Sequence, residues 1–115
     1  MSTTVYGIQQ TGSIEDTGIT FNHYGIVSIR TNPVTQMAIV SFMGYKDFSS
    51  RLSGASPING TQVDVTMKFS DITLPPLTNP TLSQVLASIG SIVMTYAINN
   101  APEFSGATIV SQGVG

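Results

Sequence analysis

Residues 61–70 read TQVDVTMKFS, in which polar and apolar side chains alternate. The apolar side chains are those of Val63, Val65, Met67 and Phe69. Successive side chains of a β-strand point to opposite faces, so this segment predicts a strand with one buried and one polar face. An antiparallel sheet that is covered on one side produces such a pattern.

The chain before this strand is rich in Thr, Val, Ile, Tyr and Phe and is interrupted by Gly, Pro and Asn. This composition predicts three earlier strands, at residues 3–10, 19–30 and 35–46. The pair Asn32-Pro33 favours a turn between the second and the third of them. Residues 49–60 (SSRLSGASPING) are small and polar, and they predict a long loop before the last strand.

A helix is predicted after the strands, because the apolar period changes from two residues to between three and four. Asn79 is a favourable N-cap, and Pro80 suits the first helical position. The apolar side of this helix, residues 82–98, consists of Leu82, Val85, Leu86, Ile89, Val93 and Tyr96. Its other side carries no charge, which indicates burial against another subunit. Residues 106–110 predict one short turn of a second helix.

Charged residues are scarce: they make up 9% of the 115 residues, against about 25% in ordinary globular domains. The length predicts a single domain, residues 1–115. We expect a surface with so little charge to be covered largely by further copies of the chain. The formal net charge of −2 argues against a strongly basic nucleic-acid binder. The first residues show no secretory signal, so synthesis in the cytoplasm is expected.

Neither a catalytic centre nor a metal centre is predicted. The sequence has one histidine, His23, and no serine lies in a Gly-x-Ser-x-Gly nucleophile motif. Cysteine is absent, and one histidine among scattered carboxylates provides no set of metal ligands. We therefore expect a protein that is not an enzyme and that uses no cofactor, metal or small-molecule substrate. His23 is expected to have a structural role.

Two predicted strands carry polar side chains suited to contact with nucleic acid. These are Thr66 and Lys68 in the last strand and, on one face by alternation, Tyr24, Ser28 and Arg30 in the second. An aromatic ring and an arginine on an open sheet suit stacking on unpaired RNA bases. An ordinary solvated face has the same residue types, and the residues alone favour that interpretation over RNA binding.

The order of these elements resembles that of the coat proteins of single-stranded RNA bacteriophages. The resemblance extends over about residues 23–115. It is carried by YGIVSIR at residues 24–30, the hairpin that follows to Lys46, the alternating strand at 63–70, Thr78-Asn79 at the helix start, Asn100-Ala101-Pro102 at its end, and Ser105-Gly106-Ala107 before a short polar tail.

This resemblance implies an α+β fold, an antiparallel meander sheet with an N-terminal hairpin and two C-terminal helices. Two subunits would form an interlocked dimer in which each subunit's helices pack on the partner subunit's sheet. The apolar side of the helix at 82–98 would then be the dimer interface. Dimers would assemble into an icosahedral shell, the capsid of a virion that is produced in the cytoplasm of a bacterial host.

The resemblance also implies the roles of individual residues. The inner face of the sheet would bind single-stranded genomic RNA through Tyr24, Ser28, Arg30, Thr66 and Lys68. The loop at 49–60 would mediate contacts between dimers through Arg51, Pro57 and Asn59. No membrane is expected as a partner.

Two other functions compete with a coat protein. The first is a different phage structural subunit, such as a tail or head-completion protein, that forms rings or tubes without nucleic acid. The second is a small membrane-active protein that uses the helix at 82–98. This helix is at the short limit for spanning a bilayer and has no flanking Lys or Arg, so the membrane interpretation is disfavoured.

Overall fold

The computed structural model describes residues 3–14, 18–72, 79 and 82–114. It is a small α+β domain with a five-stranded antiparallel sheet and two helices. The strands are β1 (Thr3–Ser13), β2 (Thr20–Asn32), β3 (Met37–Tyr45), β4 (Val63–Lys68) and β5 (Thr108–Val114), and the helices are α1 (Phe48–Leu52) and α2 (Leu82–Asn100). Short 3-10 turns occur at Phe69–Asp71 and Pro102–Phe104.

The sheet has the strand order β4-β3-β2-β1-β5, so β4 and β5 form its edges. Strands β1 to β4 follow one another as an antiparallel meander, which confirms the predicted arrangement of the first four strands. The chain then returns to the other side of the sheet, where β5 pairs with β1 from Thr3 opposite Val114 to Gln9 opposite Thr108. The predicted N-terminal hairpin, β1 and β2, is therefore part of the main sheet.

The short second helix predicted at residues 106–110 is wrong, because most of this segment lies in β5. Gly106 adopts a left-handed φ of 81° just after the 3-10 turn, and the β-branched residues Thr108, Ile109 and Val110 follow it. Pairing with β5 also satisfies backbone groups along β1 that would otherwise lack partners. The free energy gained from this pairing outweighs that of one isolated helical turn, because such a turn is only marginally stable in water.

One face of the sheet, here called the helix face, packs against α2. Its buried strand residues include Ile8, Tyr24, Val40, Phe42, Val65 and Met67. Phe104, which follows α2, is fully buried between two of these rings, with centroids 5.0 Å from Tyr24 and 5.2 Å from Phe42. Both contacts are edge-to-face, the arrangement that aromatic rings prefer. The 3-10 turn at 102–104 thus fixes the end of α2 to the centre of the sheet.

Helix α2 lies on the sheet of its own chain, chiefly over β1. Its buried residues are Val93, Met94, Ala97 and, just beyond its end, Ala101. The resemblance predicts packing on a partner's sheet instead, whereas the single chain makes these contacts internally. No helix in the described part of the chain is both long and apolar enough to cross a bilayer.

The apolar side predicted for the helix overlaps only partly with the side that is buried. Val93 is buried, whereas Val85, Ile89 and Tyr96 are half-buried. The side chains of Leu82 and Leu86 lie outside the described part of the chain, as do Pro80 and Thr78 at the predicted helix start.

The strand predicted at residues 61–70 ends at Lys68, because a 3-10 turn begins at Phe69. The Asp71 carboxylate accepts a hydrogen bond from the Lys68 backbone N–H at 3.0 Å and so stabilises this turn. Val65 and Met67 are buried as predicted, but Phe69 leaves the strand and is 37% exposed.

Candidate functional site

The face of the sheet opposite α2, here called the open face, brings together four of the five residues predicted to bind RNA. Arg30 of β2 lies opposite Ile39 of β3, which lies opposite Thr66 of β4. Ser28 and Lys68 lie on the same face of the neighbouring strands, and all four polar side chains are exposed. The group formed by Ser28, Arg30, Thr66 and Lys68 is called the basic patch below.

Tyr24, the fifth residue, lies on the helix face and is 9% exposed. Strict alternation would place it with Ser28 and Arg30, but β2 has a bulge at Val27, which has no partner in β3. A bulge inserts one residue and thereby reverses the facing of the strand beyond it. Burial, with a smaller effect of the Glu103 carboxylate, raises the pKa of the Tyr24 hydroxyl. Its placement with the basic patch is wrong.

An open cavity of about 280 Å³ adjoins the basic patch near the β2–β3 turn. Its lining combines the Arg30 guanidinium with hydroxyl and amide groups and two apolar side chains; it consists of Arg30, Thr31, Asn32, Thr35, Met37, Ile39 and Thr66. Asn32 accepts hydrogen bonds through Oδ1 from the backbone N–H groups of Val34 and Thr35, at 3.0 and 3.3 Å. These bonds hold the turn, and they leave the Asn32 amide NH₂ available to donate to a ligand.

One carboxylate, that of Asp64 in β4, lies on the same face beside the basic patch. Its Oδ1 accepts a hydrogen bond from the Ser41 hydroxyl at 2.7 Å and another from the Gln62 amide at 3.0 Å. These two bonds lower the pKa of Asp64, and the positive charge of Arg30 acts in the same direction. Asp64 therefore stays ionised at neutral pH and reduces the attraction of this face for phosphate groups.

The predicted loop at residues 49–60 contains a short helix, α1. The Asp47 carboxylate caps it by accepting a hydrogen bond from the Ser50 backbone N–H at 2.7 Å, and this bond lowers the pKa of Asp47. Of the residues predicted to mediate contacts between dimers, Asn59 is exposed beside Gly60, and Pro57 is half-buried. Arg51 points into the protein, where its Nη1 donates to the backbone oxygen of Tyr6 at 2.8 Å.

The contacts of Arg51 extend to His23, the one histidine of the chain. Arg51 Nη1 is 3.1 Å from His23 Nε2, and its guanidinium lies 5.9 Å from the centre of the Tyr45 ring. His23 is fully buried, and its ring stacks on that of Phe48 in α1 at a centroid distance of 4.4 Å. This cluster supports the structural role predicted for His23.

A second cavity, of about 260 Å³, opens on the helix face between α2 and the β2–β3 hairpin. Its lining is almost entirely apolar and consists of Ile29, Thr31, Ala38, Val40, Phe69, Ile72, Ile89 and Val93. Two of these side chains, Ile29 and Phe69, are large hydrophobic groups left 43% and 37% exposed. This surface is called the apolar groove below.

Among the described residues, no group of three or more His, Cys, Asp or Glu side chains is placed to hold a metal ion. The chain matches no protein-family model, and neither the curated proteins nor the solved structures contain a significant match.

Proposed function

We propose that the chain is the coat protein of a single-stranded RNA bacteriophage, a non-enzymatic subunit that assembles around genomic RNA in the virion. The observation that carries this proposal is the two-sided sheet. One face is covered by α2, and the other exposes Arg30 and Lys68 together with the hydroxyl groups of Ser28 and Thr66. In a closed shell, such an open face would line the interior and contact RNA.

The chemistry of the basic patch suits single-stranded RNA. Arg30 and Lys68 can pair with phosphate groups, whereas Asn32 and Thr66 can donate to base edges. Met37 and Ile39 supply a half-buried apolar floor on which a base can lie. With two cations in the basic patch and one carboxylate beside it, few counterions would be released, so binding should depend only weakly on salt concentration.

The apolar groove supports assembly through a second copy of the chain. Exposed apolar patches of this kind commonly mark interfaces, and low surface charge favours self-association. Ile89 of α2 lines the groove and is only half-buried by its own chain. In the proposed dimer, α2 of each subunit would extend over the groove of its partner, so that Ile89, Val85 and Tyr96 become buried between subunits.

A phage structural subunit that forms rings or tubes without RNA is the second candidate. The packing of Val93, Met94 and Ala97 on their own sheet favours it, because a chain that buries its helix internally has less need of an interlocked partner. The Asp64 carboxylate beside the basic patch also favours a surface that does not bind RNA.

The two candidates differ in nucleic-acid content after expression in bacteria. Size-exclusion chromatography with light scattering, combined with the ratio of absorbance at 260 and 280 nm, measures both particle mass and RNA. A coat protein should give a megadalton peak with a nucleic-acid-like ratio. A ring-sized species or a dimer with a protein-like ratio would contradict the coat-protein proposal and favour the second candidate.

Variants of the basic patch make the test specific. The double substitution Arg30→Gln and Lys68→Gln should leave particle mass unchanged and lower the RNA content. Lys46→Gln is the control, because Lys46 is an exposed cation just beyond the end of β3, outside the patch. Equal RNA content in the two variants would exclude the basic patch as the RNA-binding surface.

A further inference from the structure

The packing of α1 on the open face depends on two of its side chains. Phe48 and Arg51 are three residues apart and therefore lie on the same side of this helix. Both contact His23: Phe48 stacks on the imidazole ring with an angle of 13° between the planes, and Arg51 reaches Nε2 at 3.1 Å. These two contacts of α1 converge on one buried side chain of β2, and Arg51 Nη1 also donates to the backbone oxygen of Tyr6 in β1 at 2.8 Å.

Two glycines leave the space for these side chains. A Cβ atom added at Gly7 would overlap Cε1 of His23, and one added at Gly25 would overlap Nε of Arg51. Any residue with a Cβ atom at either position would displace the side chain of His23 or Arg51, or would shift the strand itself. The sheet therefore has a recess shaped for a histidine and an arginine together.

The contact between Arg51 and His23 determines the tautomer and the charge of the imidazole ring. A guanidinium can only donate hydrogen bonds, so His23 Nε2 must accept from Arg51, and the ring proton must lie on Nδ1. His23 is thus neutral when α1 is docked, and its buried Nδ1 has no hydrogen-bond partner among the described residues. A proton added to Nε2 would replace this hydrogen bond by a contact between two cationic donors.

We propose that His23 and Arg51 form a latch that holds α1 on the open face, and that the latch opens when the His23 ring takes up a proton. Opening would release α1 and the residues that follow it, 53–60, while the sheet and α2 remain folded. The latch consists of contacts within one chain and would operate whatever the chain assembles with.

The charged and titratable groups around His23 do not all act in the same direction. From α1 and its cap come the Arg51 guanidinium and the Asp47 carboxylate, and β3 contributes the Tyr45 ring at 6.2 Å. The neighbouring residue of β1, Gln9, carries no charge. Burial, followed by Arg51, lowers the pKa of His23 to about 4, although Asp47 acts in the opposite direction.

The sign of the pH dependence follows from this pKa. A released His23 would have a pKa near 6.5, so the open state binds the proton more tightly than the docked state. Docking is therefore at full strength above about pH 6.5 and weakens as the pH falls towards 4. Over this range, the ratio of docked to released α1 should fall by roughly a hundredfold.

Spin labelling can follow α1 directly, because the chain has no cysteine and a single introduced one is labelled unambiguously. A nitroxide on Ala55→Cys, an exposed position just beyond α1, reports release. Val34 lies in the turn between β2 and β3 and is 90% exposed, so a nitroxide on Val34→Cys is the control. The label at 55 should become mobile between pH 6.5 and pH 4, whereas the label at 34 and the far-UV circular dichroism should not change.

The substitution His23→Gln separates the latch from other acid effects. Glutamine can accept from Arg51 but does not titrate, so the mobility of the label at 55 should then be independent of pH in this range. The same transition in His23→Gln would assign it to carboxylates such as Asp47 and would overturn the proposal. An immobile label at 55 down to pH 4, or loss of the circular dichroism signal in the same range, would also overturn it.

A second variant tests the latch if His23→Gln does not fold. Arg51→Gln removes the guanidinium, so the label at 55 should be mobile already at pH 7 and should show no further change on acidification. A label at 55 that stays immobile at pH 7 in Arg51→Gln would show that Arg51 does not hold α1 in place.

Discussion

Gly7 of β1 lies directly beside the imidazole ring of His23 in β2, so closely that a Cβ atom on Gly7 would overlap the ring. His23 cannot move away easily, because its other sides contact Phe48, Tyr45 and Arg51. The φ of Gly7 lies outside the left-handed region, so the backbone conformation does not require glycine here. Glycine is required because a side chain at this position would overlap His23.

The substitution Gly7→Ala should lower the free energy of unfolding by about 3 kcal/mol, because it overpacks a buried site. Urea denaturation followed by circular dichroism measures this change. Gly113→Ala is the matched control: Gly113 lies in β5, and a Cβ there meets no atom within 4 Å. An equal effect of the two substitutions would show that the loss does not come from overlap with His23.

Phe104 should contribute more to stability than any exposed aromatic residue of the chain. Phe104→Ala removes a fully buried ring from between Tyr24 and Phe42 and should cost about 3–5 kcal/mol. Thermal or urea unfolding checks this value. Val34→Ala, at the exposed turn, should change stability by less than about 0.5 kcal/mol. A loss below about 1 kcal/mol for Phe104→Ala would contradict the packing at the centre of the helix face.

Ile89 tests the apolar groove as an interface between copies. Ile89→Asp would place a charge in the groove, and we expect it to abolish dimers and to yield insoluble protein, at a cost of several kcal/mol. Thr95→Asp, at an exposed position of the same helix outside the groove, is the control and should stay soluble. Light scattering and the soluble fraction after lysis are the measurements. Assembly of Ile89→Asp at wild-type mass would exclude the groove as the interface.

Asp64 should oppose RNA binding by the basic patch. Asp64→Asn keeps an oxygen that can accept from Ser41 but removes the charge, so affinity for a single-stranded oligoribonucleotide should rise roughly fivefold. Fluorescence anisotropy at constant salt measures the affinity. Glu103→Gln, which removes an exposed carboxylate outside the patch, is the control and should have little effect.

The same carboxylate predicts a pH dependence of RNA binding. Because its hydrogen bonds lower the pKa of Asp64 below the ordinary value of 3.8, the wild-type affinity should not rise between pH 7 and pH 4.5 through protonation of Asp64. Affinity measured across this range, with Asp64→Asn for comparison, checks the expectation. A rise in wild-type affinity that Asp64→Asn lacks would mean that Asp64 is protonated well above its expected range.

The first four strands and α2 could be predicted because their patterns are local. Alternation in β4 and helical spacing around Ile89 and Val93 depend only on which residues are neighbours along the chain. Local patterns do not predict strand β5. Residues Thr108–Val114 form a strand because they pair with the free edge of β1, which is about a hundred residues away along the chain.

The basic patch could be predicted in part for the same reason. Arg30 and Thr66 share a face because each follows the regular register of its strand. Alternation misplaces Tyr24 because the bulge at Val27 adds one residue, and the one local signal of an irregularity is Gly25, two positions earlier in the strand. Asp47, three residues before Ser50, is a sequence signal for the N-cap of α1. The small and polar residues that follow it favour the prediction of a loop instead.

The pairing of β1 with β5 places Thr3 directly opposite Val114. A short linker between these strands would therefore connect them without disturbing the sheet, and a break among the exposed residues 53–56 would supply new ends. A circular permutant of this kind would retain every strand pairing described above. It would also display any peptide appended at its new ends beside α1, away from the pairing of Thr3 with Val114.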